Sequence, residues 1–219
     1  MTEKDLSLVK NTTSFVKKTL SNAEGGHDWF HIERVLNNAK LIAKNERADM
    51  LVVILGALLH DIADSKFHQG DESVGPEKAR EFLKSEQAEP EVIDHVIRII
   101  ENISFKGGNV EQKFKSIELN IVQDADRLDA IGAIGIARTF NYGGFKGRPL
   151  YDPDIQPNLQ MTKEEYKKSN APTINHFYEK LLLLKNRMNT ESGQKIAADR
   201  HLFMENFLNQ FYAEWNGNR

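Results

Sequence analysis

Apolar residues recur at helical spacing along most of the chain, with polar residues between them. The first two stretches are Leu6, Val9, Thr13, Val16 and Leu20, and then, after Gly25-Gly26, Ile32, Val35, Leu36, Ala39, Ile42 and Ala43. No run of alternating polar and apolar residues, which would favour a half-buried strand, interrupts them. The pattern therefore predicts an all-α fold.

Residues that favour helix starts stand where the predicted helices begin. Asp28 is suited to cap the second helix and Asp49 the third. Pro76 lies near the first turn of a fourth helix, and Pro90 opens a fifth. A sixth helix is predicted from 116 to about 140, where two glycines, Gly132 and Gly135, suggest close packing against a neighbour.

The segment from about 141 to 170 is rich in glycine and proline and has little periodicity, so we expect a long surface loop or lid. Two further helices follow, at about 172–188 and 191–215. The last is predicted to be amphipathic through Ile196, Phe203, Phe207 and Phe211. We predict a single helical-bundle domain, 1–219, with a core at about 22–140, a lid at about 141–170 and C-terminal helices at about 172–216.

Composition narrows the class of protein. The 219 residues carry 29 Lys and Arg against 32 Asp and Glu, a net charge of −3, which does not favour nucleic acid as a partner. The absence of cysteine excludes disulfides, thiolate metal ligands and a cysteine nucleophile. The N-terminus lacks the apolar core of a secretion signal, and the longest apolar run, 50–59, is too short to cross a bilayer. We therefore expect a cytoplasmic protein without a membrane partner.

The dipeptide His60-Asp61 closes that apolar run, MLVVILGALL, at the end of the predicted third helix. A histidine and an ionised aspartate lose hydration at such a position unless a charged or polar partner compensates them. His31 lies upstream on the second predicted helix, and Asp126 lies downstream on the sixth. Packing these three helices together would bring two imidazoles and two carboxylates around one divalent cation, so we predict that these four residues form a metal site.

The donor types limit the metal and leave room for catalysis. Two nitrogen and two carboxylate ligands favour Mn²⁺, Fe²⁺, Ni²⁺, Mg²⁺ or a broadened Zn²⁺ site, and an octahedral ion would keep two positions open. Asp64, four residues after His60, would lie on the same helix face, where it could take a proton from metal-bound water or orient that water. Structural roles for the histidines and aspartates, and simple exposure of Asp64, are the alternatives.

A second His-Asp pair, His27-Asp28, follows Gly25-Gly26 and fits a helix N-terminus. We expect His27 to support a metal ligand by a hydrogen bond, or to act with Asp28 as a cap, in preference to binding the ion.

The four predicted ligands also carry a resemblance to a known family. Their order, with the contexts GHDWFHIERV, ALLHDIADSKF and VQDADRLDAIGAIGIART, resembles the H…HD…D signature of the HD-domain phosphohydrolase superfamily and its bacterial YpgQ/YedJ-type branch. The resemblance covers most of the chain. It implies a helical bundle with one divalent metal held by the four residues, Mn²⁺ first, with Mg²⁺, Ni²⁺, Co²⁺, Fe²⁺ or Zn²⁺ as alternatives.

The resemblance also implies hydrolysis of a phosphate ester or anhydride. In this branch the implied substrates are nucleoside or deoxynucleoside triphosphates, cleaved to monophosphate and pyrophosphate. Related nucleotide hydrolases have an acidic residue in an HDxxE-type motif, where this chain has the shorter Asp64. Some members bind a second metal through a histidine pair, where this chain has Ile100-Glu101-Asn102. That difference favours a single metal, although Glu101 leaves a binuclear site open.

Our mechanistic hypothesis is that metal-bound water, assisted by Asp64, attacks the α-phosphorus and expels pyrophosphate. A 5′-nucleotidase, another phosphomonoesterase or a phosphodiesterase is the alternative enzyme. The candidate cations for the phosphates are Lys66, His68, Arg138, Lys146, Arg148, Lys180 and Arg200. Lys66 and His68 are favoured because they closely follow His60-Asp61, and Lys180 because it lies inside an apolar segment.

Three further residues have two interpretations each. Arg34, one turn after His31, would contact phosphate or form a salt bridge. Asp129, one turn after Asp126, would accept a hydrogen bond from the sugar or hold a basic residue. Tyr142 would stack on a nucleobase or pack at a helix end.

Two non-enzymatic functions remain open from the sequence. One is a regulatory module that binds a nucleotide without turnover, and the other is a metal that only ties three helices together. The C-terminal aromatics Phe207, Phe211, Tyr212 and Trp215 would serve a homodimer or pack back onto the bundle.

Overall fold

The structure, a computed structural model, describes residues 1–21, 28–63, 71, 73–103 and 114–218. These residues form helices and no strand, which confirms the all-α prediction. The helices are α1 (Glu3–Thr19), α2 (Trp29–Ala43), α3 (Met50–Leu59), α4 (Val74–Ser85), α5 (Pro90–Asn102), α6 (Ile117–Asp129), α7 (Gly132–Phe145), α8 (Lys163–Lys168), α9 (Asn175–Glu179) and α10 (Glu191–Trp215), with a 3-10 helix at Leu181–Arg187.

The chain divides into two compact units, Met1–Asp126 and Arg127–Arg219, and each is described by itself. The single domain 1–219 stays a prediction. No helix of the described residues is both long and apolar enough to span a membrane.

Helix α3 is the centre of the first unit. All eight residues from 52 to 59 are buried, because an almost wholly apolar helix has no face suited to water. It packs against α1, α2 and α5. Gly56 lies so close to Ile99 of α5 and Val122 of α6 that an added Cβ would be only 3.3–3.4 Å from their side chains. The apolar run 50–59 is therefore the helix around which its neighbours assemble.

The predicted helix starts are confirmed at the first unit's main elements. Asp28 accepts a hydrogen bond from the His31 backbone N–H at 2.9 Å, so it caps α2. Asp49 accepts from two N–H groups, those of Leu51 and Val52, and caps α3. Pro90 is the first residue of α5, and Pro76 lies in the first turn of α4.

The buried face of α1 differs from the predicted one. Leu6 is 57% exposed, whereas Leu8, Thr12, Val16 and Leu20 are buried. The polar Thr12 can be buried on this face because its hydroxyl donates a hydrogen bond to the Leu8 carbonyl at 2.8 Å. Helix α1 has two faces of similar hydropathy, one with Leu6 and one with Leu8. The face with Leu8 is the buried one because α1 packs against α3.

The single helix predicted from 116 to about 140 is two helices, which corrects that prediction. Helix α6 ends at Asp129, Ile131 is extended, and Gly132 takes the left-handed conformation with φ of 73°. Only glycine adopts that conformation without cost, so Gly132 permits the break. An added Cβ on Gly132 would lie 3.0 Å from the Arg200 side chain of α10, so this glycine packs closely against a neighbouring helix as predicted. Gly135 instead allows the first turn of α7 to lie close to the Ala130 carbonyl just before it.

In the second unit, two predicted segments have different bounds, and the predicted buried face of the last helix is different. The predicted loop 141–170 begins later, because α7 continues to Phe145, and it contains the short helix α8. The predicted helix 172–188 is the short α9 followed by the 3-10 helix. Helix α10 has the predicted bounds 191–215, but its buried residues are Gly193, Ala197, Met204 and Leu208, and Phe203 is 53% exposed.

The C-terminal aromatics pack within the second unit. Phe207 stacks on Phe177 with ring centroids 5.8 Å apart, and Phe211 and Trp215 both contact Tyr151. These contacts favour packing back onto the bundle over the predicted role in a homodimer, which stays a prediction.

Candidate metal centre

Three helices of the first unit bring His31, His60 and Asp126 together. One potential ligand atom of each residue lies within 4.8 Å of the other two. His31 is in the first turn of α2, His60 caps the C-terminus of α3, and Asp126 is in the last turn of α6. Both histidines are buried, whereas the Asp126 side chain is 41% exposed. The group is therefore buried on its histidine side and accessible from its carboxylate side.

Backbone geometry sets the orientation of the His60 ring. Its Nδ1 lies 2.9 Å from the Ala57 carbonyl oxygen, which can only accept a hydrogen bond. Nδ1 therefore carries the proton, and the lone pair of the neutral ring is on Nε2. Nε2 faces Asp126, 4.0 Å from Oδ1. A hydrogen bond of this kind fixes the tautomer of a metal-binding histidine in many proteins.

Side-chain hydrogen bonds to the backbone set the register of α6 against its neighbours. At its start, Glu118 accepts from the Asp49 backbone N–H at 2.9 Å, so α3 and α6 begin side by side. From there, at 1.5 Å per residue, His60 lies about 17 Å along α3 and Asp126 about 12 Å along α6. Buried Asn38 of α2 donates to the Ala125 carbonyl at 3.3 Å, beside Asp126. These contacts place Asp126 opposite both histidines.

The distances between the ligand atoms fit a shared divalent ion better than direct hydrogen bonds between these residues. His31 Nε2 lies 3.6 Å from Asp126 Oδ1, and His60 Nε2 lies 4.0 Å from the same atom, both beyond hydrogen-bond length. Two ligands that each lie about 2.1 Å from one ion are separated by roughly 3–4 Å. The two imidazole rings meet edge to face, with centroids 5.3 Å apart. The residues present therefore fit a divalent metal.

Asp61, the fourth predicted ligand, directly follows His60 in the turn after α3 and is half-buried. Its carboxylate is not one of the donors in the three-residue group, and its ligation stays a prediction. Glu101, the open candidate for a second ion, is exposed in the last turn of α5 and is also outside the group.

Four predicted site residues lie outside the described residues: His27, Asp64, Lys66 and His68. Helix α3 ends at Leu59 and residues 60–63 form a turn and bend, and the predicted position of Asp64 beside His60 stays a prediction. The role of Asp64 therefore depends on its chemistry and on the family resemblance alone.

The structure gives structural partners to some of the predicted substrate residues. Asp129 is 1% exposed and pairs with Arg138, whose Nη1 also donates to the Asp129 carbonyl. Arg200 donates to the Leu128 carbonyl. Arg138 and Arg200 therefore both donate to backbone carbonyls at the C-terminal end of α6. Arg34 is half-buried on α2 and already interacts with another residue. The alternative in which Asp129 holds a basic residue is thus the one seen.

Tyr142 and Lys180 belong to the second unit and both have exposed side chains. Lys146 and Arg148 lie over the Tyr142 ring, at 5.7 and 5.6 Å from its centroid. Lys180 lies 5.9 Å from the centroid of Tyr166. Their predicted roles in substrate binding stay predictions.

Sequence reasoning missed two residues that orient the site, Asn38 and Glu118. Both are polar side chains inside otherwise apolar helix faces, and that is the signal by which they could have been found. Their partners, however, are backbone groups of distant helices, which no local pattern specifies.

Comparison with known proteins identifies the class. Residues 29–131, which include all four predicted ligands, match the HD domain family. The structure superposes on an HD-superfamily hydrolase from Bacillus thuringiensis with a TM-score of 0.80 and 42% identity, covering 97% of this chain and 98% of that one. The chain therefore belongs to the HD-domain family and is a hydrolase of that superfamily.

The branch follows from a curated relative. The chain is 36% identical to YpgQ of Bacillus subtilis over 208 residues, 94% of this chain and 93% of YpgQ. The crystal structure of YpgQ in complex with ADP superposes with a TM-score of 0.76 and 33% identity, covering 96% of each chain. Within the HD-domain family, the chain thus belongs to the YpgQ-type branch.

Proposed function

We propose that the protein is a metal-dependent phosphohydrolase that converts nucleoside or deoxynucleoside triphosphates to the monophosphate and pyrophosphate. The observation that carries the proposal is the meeting of two imidazoles and a carboxylate, His31, His60 and Asp126, in a chain of the HD-domain family. A nucleotide as the substrate class is supported by the ADP complex of the Bacillus subtilis relative YpgQ.

The metal-binding residues would be His31, His60, Asp61 and Asp126, with one divalent ion. His60 is prepared for this by its Nδ1 hydrogen bond to Ala57, which leaves the Nε2 lone pair toward the ion. Asp126 supplies negative charge on the accessible side, where substrate would approach. When bound, a divalent ion there would supply a Lewis acid that neutralises phosphoryl charge and lowers the pKa of water.

Asp64 is the proposed general base. A water oxygen forms a bond to the α-phosphorus, its proton passes to the Asp64 carboxylate, and the bond from the α-phosphorus to the β-phosphate oxygen breaks. Pyrophosphate leaves with that electron pair. Aspartate is shorter than the glutamate of an HDxxE-type motif. An Asp64→Glu variant therefore tests whether the length of this side chain limits its contact with the attacking water.

The decisive experiment measures metal and both anions together. The purified protein is analysed for bound metals, stripped, and reloaded with Mn²⁺, Mg²⁺, Ni²⁺ or Co²⁺. Each form is assayed with nucleoside triphosphates, deoxynucleoside triphosphates and 5′-monophosphates, and both pyrophosphate and phosphate are scored. Pyrophosphate release from triphosphates is the expected result, whereas phosphate release from monophosphates would identify the 5′-nucleotidase alternative. No metal and no hydrolysis across the panel would refute the proposal.

Three variants separate catalysis from metal binding. Asp126→Asn should lose both metal and turnover, since it removes a ligand charge. Asp64→Asn should keep the metal, and its turnover rate should fall at least about a hundredfold, because it removes the general base. Glu101→Gln is the control, and it should change neither if the site holds one ion. Full activity of Asp64→Asn would remove the proposed base.

Nucleotide-binding and melting measurements address the non-enzymatic alternatives. A regulatory module would bind nucleotide with metal and show no turnover. A purely structural metal would make chelation unfold the protein, while nucleotide would leave its melting temperature unchanged. The proposed enzyme is instead stabilised by metal and further by nucleotide.

A further inference from the structure

A cavity of about 370 Å³ lies within the second unit, between the loop 151–159 and the helices α9 and α10. Its volume falls in the range of sites that hold one small molecule, roughly 300–1000 Å³. The wall consists of apolar loop residues, two amides and three tyrosines, Tyr151, Tyr178 and Tyr212, and we name it the tyrosine cavity. Among the described residues, no charged side chain lines it. The cavity therefore selects its ligand through aromatic rings and neutral polar groups.

Asn175 of α9 gives the cavity a fixed hydrogen-bond acceptor. This residue is only 1% exposed, and its Nδ2 donates to the Ile155 carbonyl at 3.0 Å. A carbonyl oxygen can only accept, so this contact fixes the amide with its nitrogen toward the loop and Oδ1 on the other side. Oδ1 accepts no hydrogen bond from the described residues, and it is not closed off from solvent. Since Asn175 lines the cavity, a ligand there can donate to this oxygen.

The second amide, that of Gln156, is oriented in the same way. Its Nε2 donates to the Pro153 carbonyl at 2.9 Å, which leaves Oε1 on the other side of the amide. A carboxylate also lies beside the lining loop, because Glu179 accepts a hydrogen bond from the Asn158 backbone N–H at 3.1 Å. The oxygen atoms in and beside the wall thus suit a ligand that carries N–H donors.

The tyrosine rings favour a positive charge over a negative one. Tyr151 and Tyr212 meet nearly edge to face, with ring centroids 5.3 Å apart. Burial, and after it the neighbouring Tyr178 and Tyr151, raises the pKa of Tyr212, so this part of the wall disfavours an anion. The faces of aromatic rings attract cations. A positively charged donor would gain both from the rings and from the amide oxygens.

We propose that the tyrosine cavity binds a small organic amine through its primary ammonium group. The ammonium group donates to Asn175 Oδ1 and lies against the tyrosine rings, while the apolar side chains of Ile155 and Leu159 contact the carbon body of the amine. This ligand class differs from the nucleotide proposed above, and its binding needs neither the metal nor turnover. Failure of hydrolysis would therefore leave the amine site intact, and failure of amine binding would leave the proposed enzyme intact.

The first test compares three probes that share a phenyl ring and differ in charge. Benzylammonium, benzyl alcohol and benzoate are each titrated into the full chain near neutral pH by calorimetry. Benzylammonium should bind at least about tenfold more tightly than benzyl alcohol, because a charged donor forms the stronger hydrogen bond and is attracted to the ring faces. Benzoate should bind most weakly. Equal or tighter binding of the alcohol or of benzoate would overturn the proposal, and so would no binding of benzylammonium at millimolar concentration.

Matched variants locate the site. Tyr212→Phe keeps the ring and should keep most of the affinity for benzylammonium, whereas Tyr212→Leu removes the ring and should weaken binding roughly five- to thirtyfold. Gln156→Glu places a carboxylate in the lining and should strengthen binding. Gln160→Glu, the same change at an exposed glutamine outside the lining, should have a smaller effect. Equal affinity of Tyr212→Leu and the wild type, with both folded by circular dichroism, would overturn the assignment, and so would equal effects of the two glutamate variants.

The pH dependence and the protein concentration give two further checks by the same calorimetry. The affinity for benzylammonium should fall as the pH rises through the pKa of the probe amine, whereas benzyl alcohol has no charge to lose. An affinity for the amine that did not change on its deprotonation would overturn a site for the charged form. A fall in affinity with rising protein concentration would mean that a second copy of the chain covers the cavity, and it would overturn the proposal as well.

Discussion

Two glycines of α7, Gly135 and Gly144, should respond oppositely to replacement by alanine. A Cβ on Gly135 would lie 2.3 Å from the carbonyl oxygen and 2.6 Å from the carbonyl carbon of Ala130, both of them backbone atoms. A Cβ on Gly144 would have no atom within 4 Å. Both residues are in the same helix, so the gain in helix propensity is similar and the difference isolates the contact.

The magnitudes follow from these distances. Ordinary van der Waals contact begins near 3.4 Å, so Gly135→Ala must move the start of α7 by about 1 Å away from Ala130. Overpacking of this kind costs roughly 1–3 kcal/mol or more. Gly144→Ala should instead stabilise by about 0.5–1 kcal/mol, because it reduces the freedom of the unfolded chain. For a chain of this size, each kcal/mol changes the melting temperature by roughly 2–4 °C.

Urea unfolding followed by circular dichroism measures both variants on one scale. We expect Gly135→Ala to lower the free energy of unfolding and Gly144→Ala to raise it, with unchanged m-values. Equal effects of the same sign in the two variants would refute the packing of Gly135 against Ala130. A neutral Gly135→Ala would do so as well, since no flexible side chain is available to move aside.

Other predictions concern the metal, pH and helix capping. Saturating Mn²⁺ at about 100 times its Kd should stabilise stripped wild-type protein by about 2.7 kcal/mol in a thermal-shift assay, and Asp126→Asn should lose most of that gain. The pKa of His176 is lowered from 6.5 to about 4. Between pH 6.5 and pH 4, His176 is therefore protonated in the unfolded chain and neutral in the folded chain. Unfolding free energy should therefore fall by up to about 3 kcal/mol as pH falls through that window, with a shallower slope in His176→Asn measured by urea titration. Asp49→Ala should cost about 1 kcal/mol of unfolding free energy in the same urea assay, since it removes the cap of α3; a neutral result would contradict that role.

Much of the first unit was predictable because its signals are local. The caps Asp28 and Asp49 act on backbone groups two or three residues away, and Pro90 acts on its own helix. The apolar run 50–59 has no polar face, so its burial follows from composition alone. His60 at the end of that run, with His31 and Asp126 on other helices, was enough to predict three donors of one metal group.

What the sequence alone determined is thus the all-α class, most helix starts and the donor types of the site. Only the tertiary structure decided which apolar stripe is buried, since Leu6 and Phe203 are as apolar as Leu8 and Met204 and contact with other helices selects between them. It also decided the break at Gly132 and the pairing of Asp129 with Arg138. The register that brings Asp126 to the histidines depends on Asn38 and Glu118, whose partners lie far away in sequence, and such pairings arise only when the helices pack.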